Sequence, residues 1–443
     1  MKVAEVRVIR NLNFRLVALQ CAKGKHHRVI PSEARNPSFS DAPEKRDSSA
    51  RGVPRNDGAL NFAVAGLACG MLAFAFLIFC PAPVGAQAGA PQFEVDPSWP
   101  KPLPGRWVTG EMGGVCVDSR DHVFIAQRVN DVGGMDGHLE GLTSDELNAG
   151  QPAPPVIEFD ADGKVVNSWG DPKILPKDLH GCAIDKEGHV WLDGSEDGIV
   201  QEYSHDGKEL LLQIGKKGVF DSSDGTVMGA PLNSSTSQFF RVSEIGFDPH
   251  NGDVYVADGH AKGKGNNNFR IVVFDKTGHY LRQWKLHRSP EEAATAARPT
   301  IHCVRVSNDE LVYACDRWMN RLQVFDTKGK FIKDMPFGYK IWTPLPPTAN
   351  GSSKDAAQVG SASSVEFSID PAQKCMYVIN EIDEQIDIVE RASGRVLGSF
   401  GRPGHQVGEF MHAHTMAVDS KGNLYVGESV DGRRVQKFKL VSK

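Results

Sequence analysis

The sequence predicts an all-β chain folded as a six-bladed β-propeller, and three observations carry that expectation. A short apolar strand, a polar Asp-x-x-Gly-type turn and a second apolar strand recur six times between residues 115 and 426. Each copy is followed by a third strand, another polar turn and a fourth strand. Four short antiparallel strands per unit, joined by Asp/Gly corners, are the sequence mark of a propeller blade. The chain is also rich in turn formers, with 45 Gly and 26 Pro in 443 residues, which favours many corners over long helices.

The copies follow in order. The first pairs 115–118 with 123–125, the second 182–185 with 190–192, and the third 245–248 with 254–256. The fourth pairs 304–307 with 312–314 and carries Ser307 where the others carry Asp; the fifth pairs 367–370 with 376–378, and the sixth 416–419 with 424–426. Third strands stand out as Val156-Ile157-Glu158-Phe159, Ile271-Val272-Val273-Phe274 and Leu322-Gln323-Val324-Phe325, each followed by an Asp-x-x-Gly turn. The sixth unit reaches its third strand at 435–438. Its fourth strand is expected from 92–95, which would close the ring and leave no edge unpaired.

Ahead of the repeats the composition changes. Residues 59–88 are uncharged and mostly apolar, with Arg51 and Arg55 upstream and Ala86-Gln87-Ala88 at the end. A basic flank, an apolar stretch and a small-x-small site read as an export signal cleaved after about Ala88. A retained membrane anchor is the alternative, because 62–79 approaches the length of a bilayer span. Residues 1–58 show no sustained period of 2 or 3.6 and read as a non-globular extension, with translation expected to begin nearer Met71 or upstream of Ala59. The expected organisation is therefore an extension at 1–58, a leader or anchor at 59–88, and a propeller at 89–443, exported to the periplasm or beyond.

Charge and cysteine usage narrow the partners. The net charge is −5, but residues 1–58 hold 12 Lys/Arg against 6 Asp/Glu, so the region after the leader carries −11. That balance argues against nucleic acid as partner; no membrane partner is expected unless the leader is retained. A monomer acting on a small-molecule or peptide substrate is the expectation. Five of the 8 cysteines lie beyond the leader; an odd number leaves at least one free thiol and no disulfide framework. Cys303 and Cys315 could face each other across a hairpin.

The residues that carry chemistry emerge from aligning the copies. Five positions before each repeat's Asp (or Ser307) stand Gly113, His180, Ser243, His302, Val365 and His414. Histidine occupies every second blade. In a six-bladed ring alternate blades lie about 120° apart, and this position opens the innermost strand beside the central channel. Three imidazoles converging from three directions suit a metal bound by three nitrogens with a fourth position open. Zinc leads as the metal, while copper, iron or manganese fit the same ligand type.

The longer connections, 129–154, 218–239, 260–268 and 338–361, fall on the histidine side of the disc, where a rigid scaffold would display function-bearing loops. At the ends of the second strands on that side stand Arg128, Ser195, Gly259-His260, Arg317, Glu381 and Ser429. Arg128 and Arg317 are expected to open into one mouth, where guanidinium groups would take a carboxylate or another oxyanion.

Several of these motifs together resemble a known family. Asp178-Leu179-His180-Gly181-Cys182-Ala183-Ile184-Asp185, His302-Cys303-Val304-Arg305-Val306, Cys315-Asp316-Arg317-Trp318-Met319-Asn320-Arg321 and His414-Thr415-Met416-Ala417-Val418-Asp419 resemble the lyase domain of peptidylglycine α-amidating enzymes. The opening 94–103 looks like that of bacterial NHL-repeat relatives of this lyase. The resemblance implies a six-bladed zinc propeller that splits a peptidyl-α-hydroxyglycine into peptide amide and glyoxylate. It implies zinc ligands at His180, His302 and His414 and active-site arginines at Arg128 and Arg317. The family's catalytic tyrosine falls on His260, and a methionine two residues before the third zinc histidine becomes His412, an additional ligand or proton carrier. Thr415 stands where the family has a calcium-binding Asp, so the resemblance does not carry that calcium site over. Histidine suits the proton-moving role at His260, since its ordinary pKa lies nearer neutrality than a phenol's. Another metal-dependent propeller hydrolase and a non-enzymatic NHL-type binding module are the competing expectations.

Overall fold

The computed structural model describes residues 89–128, 144–221, 232–260, 267–295, 299–338 and 361–442. The expected extension and leader, 1–88, lie outside the described residues, as do most of the four long connections. No helix among the described residues is long and apolar enough to cross a membrane.

Among the described residues, six four-stranded antiparallel sheets and one two-stranded parallel sheet make up the β structure. The innermost strands, in chain order, are Glu111–Val117, Leu179–Ile184, Val242–Phe247, Ile301–Val306, Ala362–Phe367 and Ala413–Val418. We number the blades 1 to 6 by these strands. Blades 2 to 5 are each built from four consecutive strands; in blade 1 the short strand Gln151–Pro152 intervenes between the second and third and pairs in parallel with Trp107–Val108. In blade 6 the chain supplies three, and the outermost place is taken by Gln92–Val95, antiparallel to Val435–Ser442 with Val95 opposite Phe438. Among the described residues, helix is confined to two short pieces, Ser144–Ala149 and Pro290–Ala293, and a 3₁₀ turn at Arg317–Met319. The repeat pattern had not marked these three.

The turns explain why the motif repeats. In blade 1 the Asp118 backbone N–H donates to the His122 carbonyl, and the Asp118 carboxylate accepts from the N–H groups of Arg120 and His122. An Asp side chain that satisfies the next exposed N–H groups makes a tight corner self-sufficient. Blades 2 and 6 repeat this with Asp185 and Asp419. The third-to-fourth-strand turns need a left-handed residue, supplied by Gly163, Gly278 and Gly329 at φ +85 to +86.

Between blades the strands bury side chains face to face. Blade 4 meets blade 5 through Tyr313, Leu322, Val324 and Met335 against Val365, Phe367, Met376 and Val389, all at most 6% exposed. Each such side chain contributes about 1.5–3 kcal/mol relative to exposure, so the blades are held by apolar packing and the axis is left for polar groups. Among the described residues, two disulfides add covalent ties. Cys303–Cys315 spans the blade 4 hairpin, and Cys116–Cys182, which the sequence had not suggested, joins the inner strands of blades 1 and 2. Cys375 is the free thiol among the described residues.

Candidate metal centre

Every innermost strand carries a β-bulge near its start. The register slips between Met112 and Gly114, Leu179 and Gly181, Val242 and Glu244, Ile301 and Cys303, Ala362 and Val365, and Ala413 and Thr415. A bulge leaves one residue unpaired and re-aims its side chain. The skipped residues are Gly113, His180, Ser243, His302, the pair Ser363-Ser364, and His414. The blade 5 alignment therefore needs correcting. Val365 pairs normally with Val378, and the position equivalent to His302 is Ser363. Blade 5 misled because Ser368, not Asp370, begins its turn, with its N–H bonded to the Cys375 carbonyl as Ser307's is to Leu311's.

The alternation that results is histidine in blades 2, 4 and 6 and a small residue in blades 1, 3 and 5. Each histidine uses Nδ1 on the next blade around the ring: His180 to the Ser243 carbonyl at 2.7 Å, His302 to the Ser363 carbonyl at 2.7 Å, and His414 to the Met112 carbonyl at 3.1 Å. A carbonyl can only accept, so Nδ1 carries the hydrogen and Nε2 keeps its lone pair. This is the backbone contact that fixes the tautomer of a metal-binding imidazole. Nε2 of His180 and of His302 is buried and receives no hydrogen bond.

Their spacing fits one ion. The ring centres lie 4.7, 4.9 and 5.0 Å apart, and the three ligand atoms are all within 4.8 Å of one another. Three imidazoles bound through Nε2 at about 2.1 Å in a near-tetrahedral array hold their ring centres about 5 Å apart. All three side chains are buried, at 3–4% exposure. Burial first, then the neighbouring imidazoles and Arg128, hold His180 and His414 well below the ordinary histidine pKa; burial and then Arg317 do the same for His302. Neutral rings are the form that binds a metal. The donor set thus fits zinc, without distinguishing it from other divalent metals that accept imidazole.

The remaining predicted residues surround these rings. His260 is buried, with its ring 4.3 Å from His180 and 5.4 Å from His302, yet it stands outside the set of mutually close ligand atoms. Its approach is set by Gly259, at φ +154, with both backbone N–H groups donating to the Arg241 carbonyl. Arg128 and Arg317 lie three blades apart, on opposite sides of the axis, and both act on His302. Each is held by carboxylates of this chain. Arg128 bonds the Leu179 carbonyl and pairs with Glu111 at 3.1 Å and Asp178 at 3.0 Å. Arg317 pairs with Glu381 at 2.6 Å.

His412 sits at φ +60 and reaches the same Glu381 oxygen at 2.7 Å. Burial lowers its pKa, but Glu381 outweighs that and the net shift is upward. The His412 and His414 rings are 6.4 Å apart. The Thr415 side chain is buried, its methyl crowding the space over Gly427.

Sequence reasoning gave no role to Glu111, Asp178, Glu381 or Glu384. Glu381 had at least been placed at the strand end that carries Arg128 and Arg317 in blades 1 and 4. Among the described residues, two other acidic clusters contain histidine, Asp118 with Glu158 and His205, and Asp185 with His189 and Glu202. Both belong to the turn side of the disc, and in the first the Arg120 guanidinium already pairs with Asp118 and Glu158.

Known proteins share parts of this chain. It is 24% identical over 263 residues to peptidyl-glycine alpha-amidating monooxygenase B of Xenopus laevis, covering 56% of this chain and 27% of that protein. It is 26% identical over 251 residues to the Rattus norvegicus amidating monooxygenase, covering 53% and 23%. NHL repeat-containing protein 3 of Mus musculus is 27% identical over 241 residues, covering 53% of this chain and 57% of that protein. The chain thus spans about a quarter of the length of the amidating monooxygenases it matches. Among solved structures, virginiamycin B lyase from Staphylococcus aureus aligns over 76% of this chain and 86% of its own, at a TM-score of 0.40 and 13% identity. A streptogramin B lyase aligns over 80% and 89%, at a TM-score of 0.41 and 11% identity. No family model matches the chain.

Proposed function

We propose that the protein is a metal-dependent lyase, with His180, His302 and His414 holding zinc, that cleaves a carbinolamide C–N bond of a peptidyl-α-hydroxyglycine or a related substrate. The observation that carries this reading is the set of three buried imidazoles whose Nδ1 atoms are tied to backbone carbonyls and whose Nε2 atoms converge. Distant similarity to the amidating enzymes supports the choice of substrate class. Bound at these nitrogens, zinc would supply Lewis-acid chemistry at the site.

The chain's own residues divide the rest of the work. His260, packed beside His180 and His302, takes the proton from the substrate hydroxyl. The freed electron pair forms the aldehyde carbonyl of glyoxylate, the C–N bond breaks, and the amide nitrogen leaves with a proton from His412. No water is consumed. Arg128 and Arg317 flank the centre and hold the substrate carboxylate; their own carboxylate partners fix the guanidinium groups and offset much of their charge. That arrangement favours a single small anion over a polyanion. Two disulfides beside the metal strands suit an oxidising compartment, which agrees with the export signal expected at 59–88.

The test measures metal content together with glyoxylate release from an α-hydroxyglycyl peptide. One metal per chain with turnover is expected for the wild type, and His302→Ala should lose the metal and at least about 1,000-fold in kcat/KM. Stoichiometric metal without turnover would favour a binding module and overturn the lyase reading.

A further inference from the structure

Blade 5 gives no histidine to the axis, yet its second strand ends at a carboxylate that two other blades share. Glu381 Oε1 meets Arg317 Nη2 of blade 4 at 2.6 Å and His412 Nε2 of blade 6 at 2.7 Å. The side chain is fully buried. A second carboxylate of the same turn, Glu384, accepts the backbone N–H of His412 at 2.7 Å and of Ala413 at 3.0 Å. The His412 carbonyl accepts from Ser429 N–H. His412 is thereby gripped at ring and backbone together, which holds it in a left-handed conformation that a residue with a β-carbon adopts only when its surroundings impose it.

We infer that Glu381 is the positioning residue of this site: one buried oxygen sets the rotamer of His412 and the reach of Arg317, placing a proton carrier and a cation on the same side of the three-histidine centre. A carboxylate with two charge-capable partners in a buried setting fixes both more tightly than either contact alone. Glu381 touches neither the substrate nor the metal in this scheme. With its Nε2–H spent on Glu381, His412 can turn only Nδ1 toward the mouth. The inference rests on the lyase reading for its kinetic consequence, but the geometry it asserts is independent of any substrate.

The experiment uses histidine-labelled protein with its metal in place. Nuclear magnetic resonance should find a slowly exchanging Nε2–H in the wild type, assigned to His412 by its absence in His412→Gln. Glu381→Ala should abolish that slow exchange, whereas Glu381→Gln, which keeps an acceptor, should retain a shifted signal. Metal content should stay at one per chain in all variants. In turnover, Glu381→Ala should lower kcat about 10- to 100-fold through His412 and raise KM through Arg317, and Glu381→Ala with His412→Gln should fall no further in kcat than the worse single variant. A resonance unchanged in Glu381→Ala, or fully additive losses in the double variant, would overturn the inference. Absence of turnover in the wild type would sink the lyase reading alone, leaving the resonance to decide for Glu381.

Discussion

At the bulge of the innermost strand, blades 2, 4 and 6 carry His180, His302 and His414, whereas blades 1, 3 and 5 carry Gly113, Ser243 and Ser363. The two sets share one strand plan and contribute different atoms. The histidine blades supply side-chain nitrogens; in the others backbone carbonyls at or beside the bulge receive each Nδ1 and fix its tautomer. Small residues are needed in the second set because the next blade's backbone comes close there. A β-carbon at Gly113 would run into the Leu179 carbonyl, on the strand that bears His180. The difference teaches that the threefold site depends on all six blades, although only three of them could bind the metal.

Gly113→Ala should break the comparison most severely. The obstacle is backbone, which cannot rotate away, so a loss of about 2–4 kcal/mol in unfolding free energy is expected. Metal affinity should weaken as the His180 strand shifts. Equilibrium denaturation and metal titration of the variant check both effects.

One residue further on, blade 3 stands apart from the other five. Blades 2, 4 and 6 follow the bulge with uncharged Gly181, Cys303 and Thr415, but blade 3 follows it with Glu244, paired to Arg305 at 2.8 Å. Burial, opposed by Arg305 and reinforced by the Glu366 carboxylate on the same guanidinium, pushes the Glu244 pKa up to about 7 from an ordinary 4.5. A carboxyl that holds its proton more tightly when folded favours the native state at low pH. Its contribution is present below pH 4.5 and is lost as pH rises from there to about 7. Glu244→Gln should therefore flatten the stability–pH curve in that window by on the order of 3 kcal/mol, as chemical denaturation at several pH values would reveal.

The smallest effect is expected from Ser243→Ala. His180 is held by the Ser243 carbonyl, not its hydroxyl, and the hydroxyl's own bonds are to the Ile301 and Ala257 carbonyls at 3.0 and 3.3 Å. Metal content should be unchanged and stability should fall by about 1 kcal/mol.

The same contrast separates what could be read from the sequence from what could not. The histidine alternation was visible because it repeats at a fixed distance before a turn residue. It slipped at Val365, where blade 5 replaces the turn Asp with Ser368 and lengthens the loop to Cys375. His260 and the two arginines were legible as strand-end positions in the repeat. Their partners were not: Glu111 reaches Arg128 within blade 1, Asp178 reaches it from the crossing into blade 2, and Glu381 joins blades 4 and 6. Those pairings depend on how blades face one another, which no local spacing encodes. The carbonyl contacts of Nδ1 were equally hidden, since backbone acceptors leave no trace in residue type.

The most direct test is X-ray absorption at the metal edge of the purified, metal-loaded protein. The account predicts a first shell of three imidazole nitrogens at about 2.0–2.1 Å and one exchangeable light atom, with the imidazole count falling in His414→Ala. A closed shell of four protein ligands, or a first shell without imidazole, would contradict it.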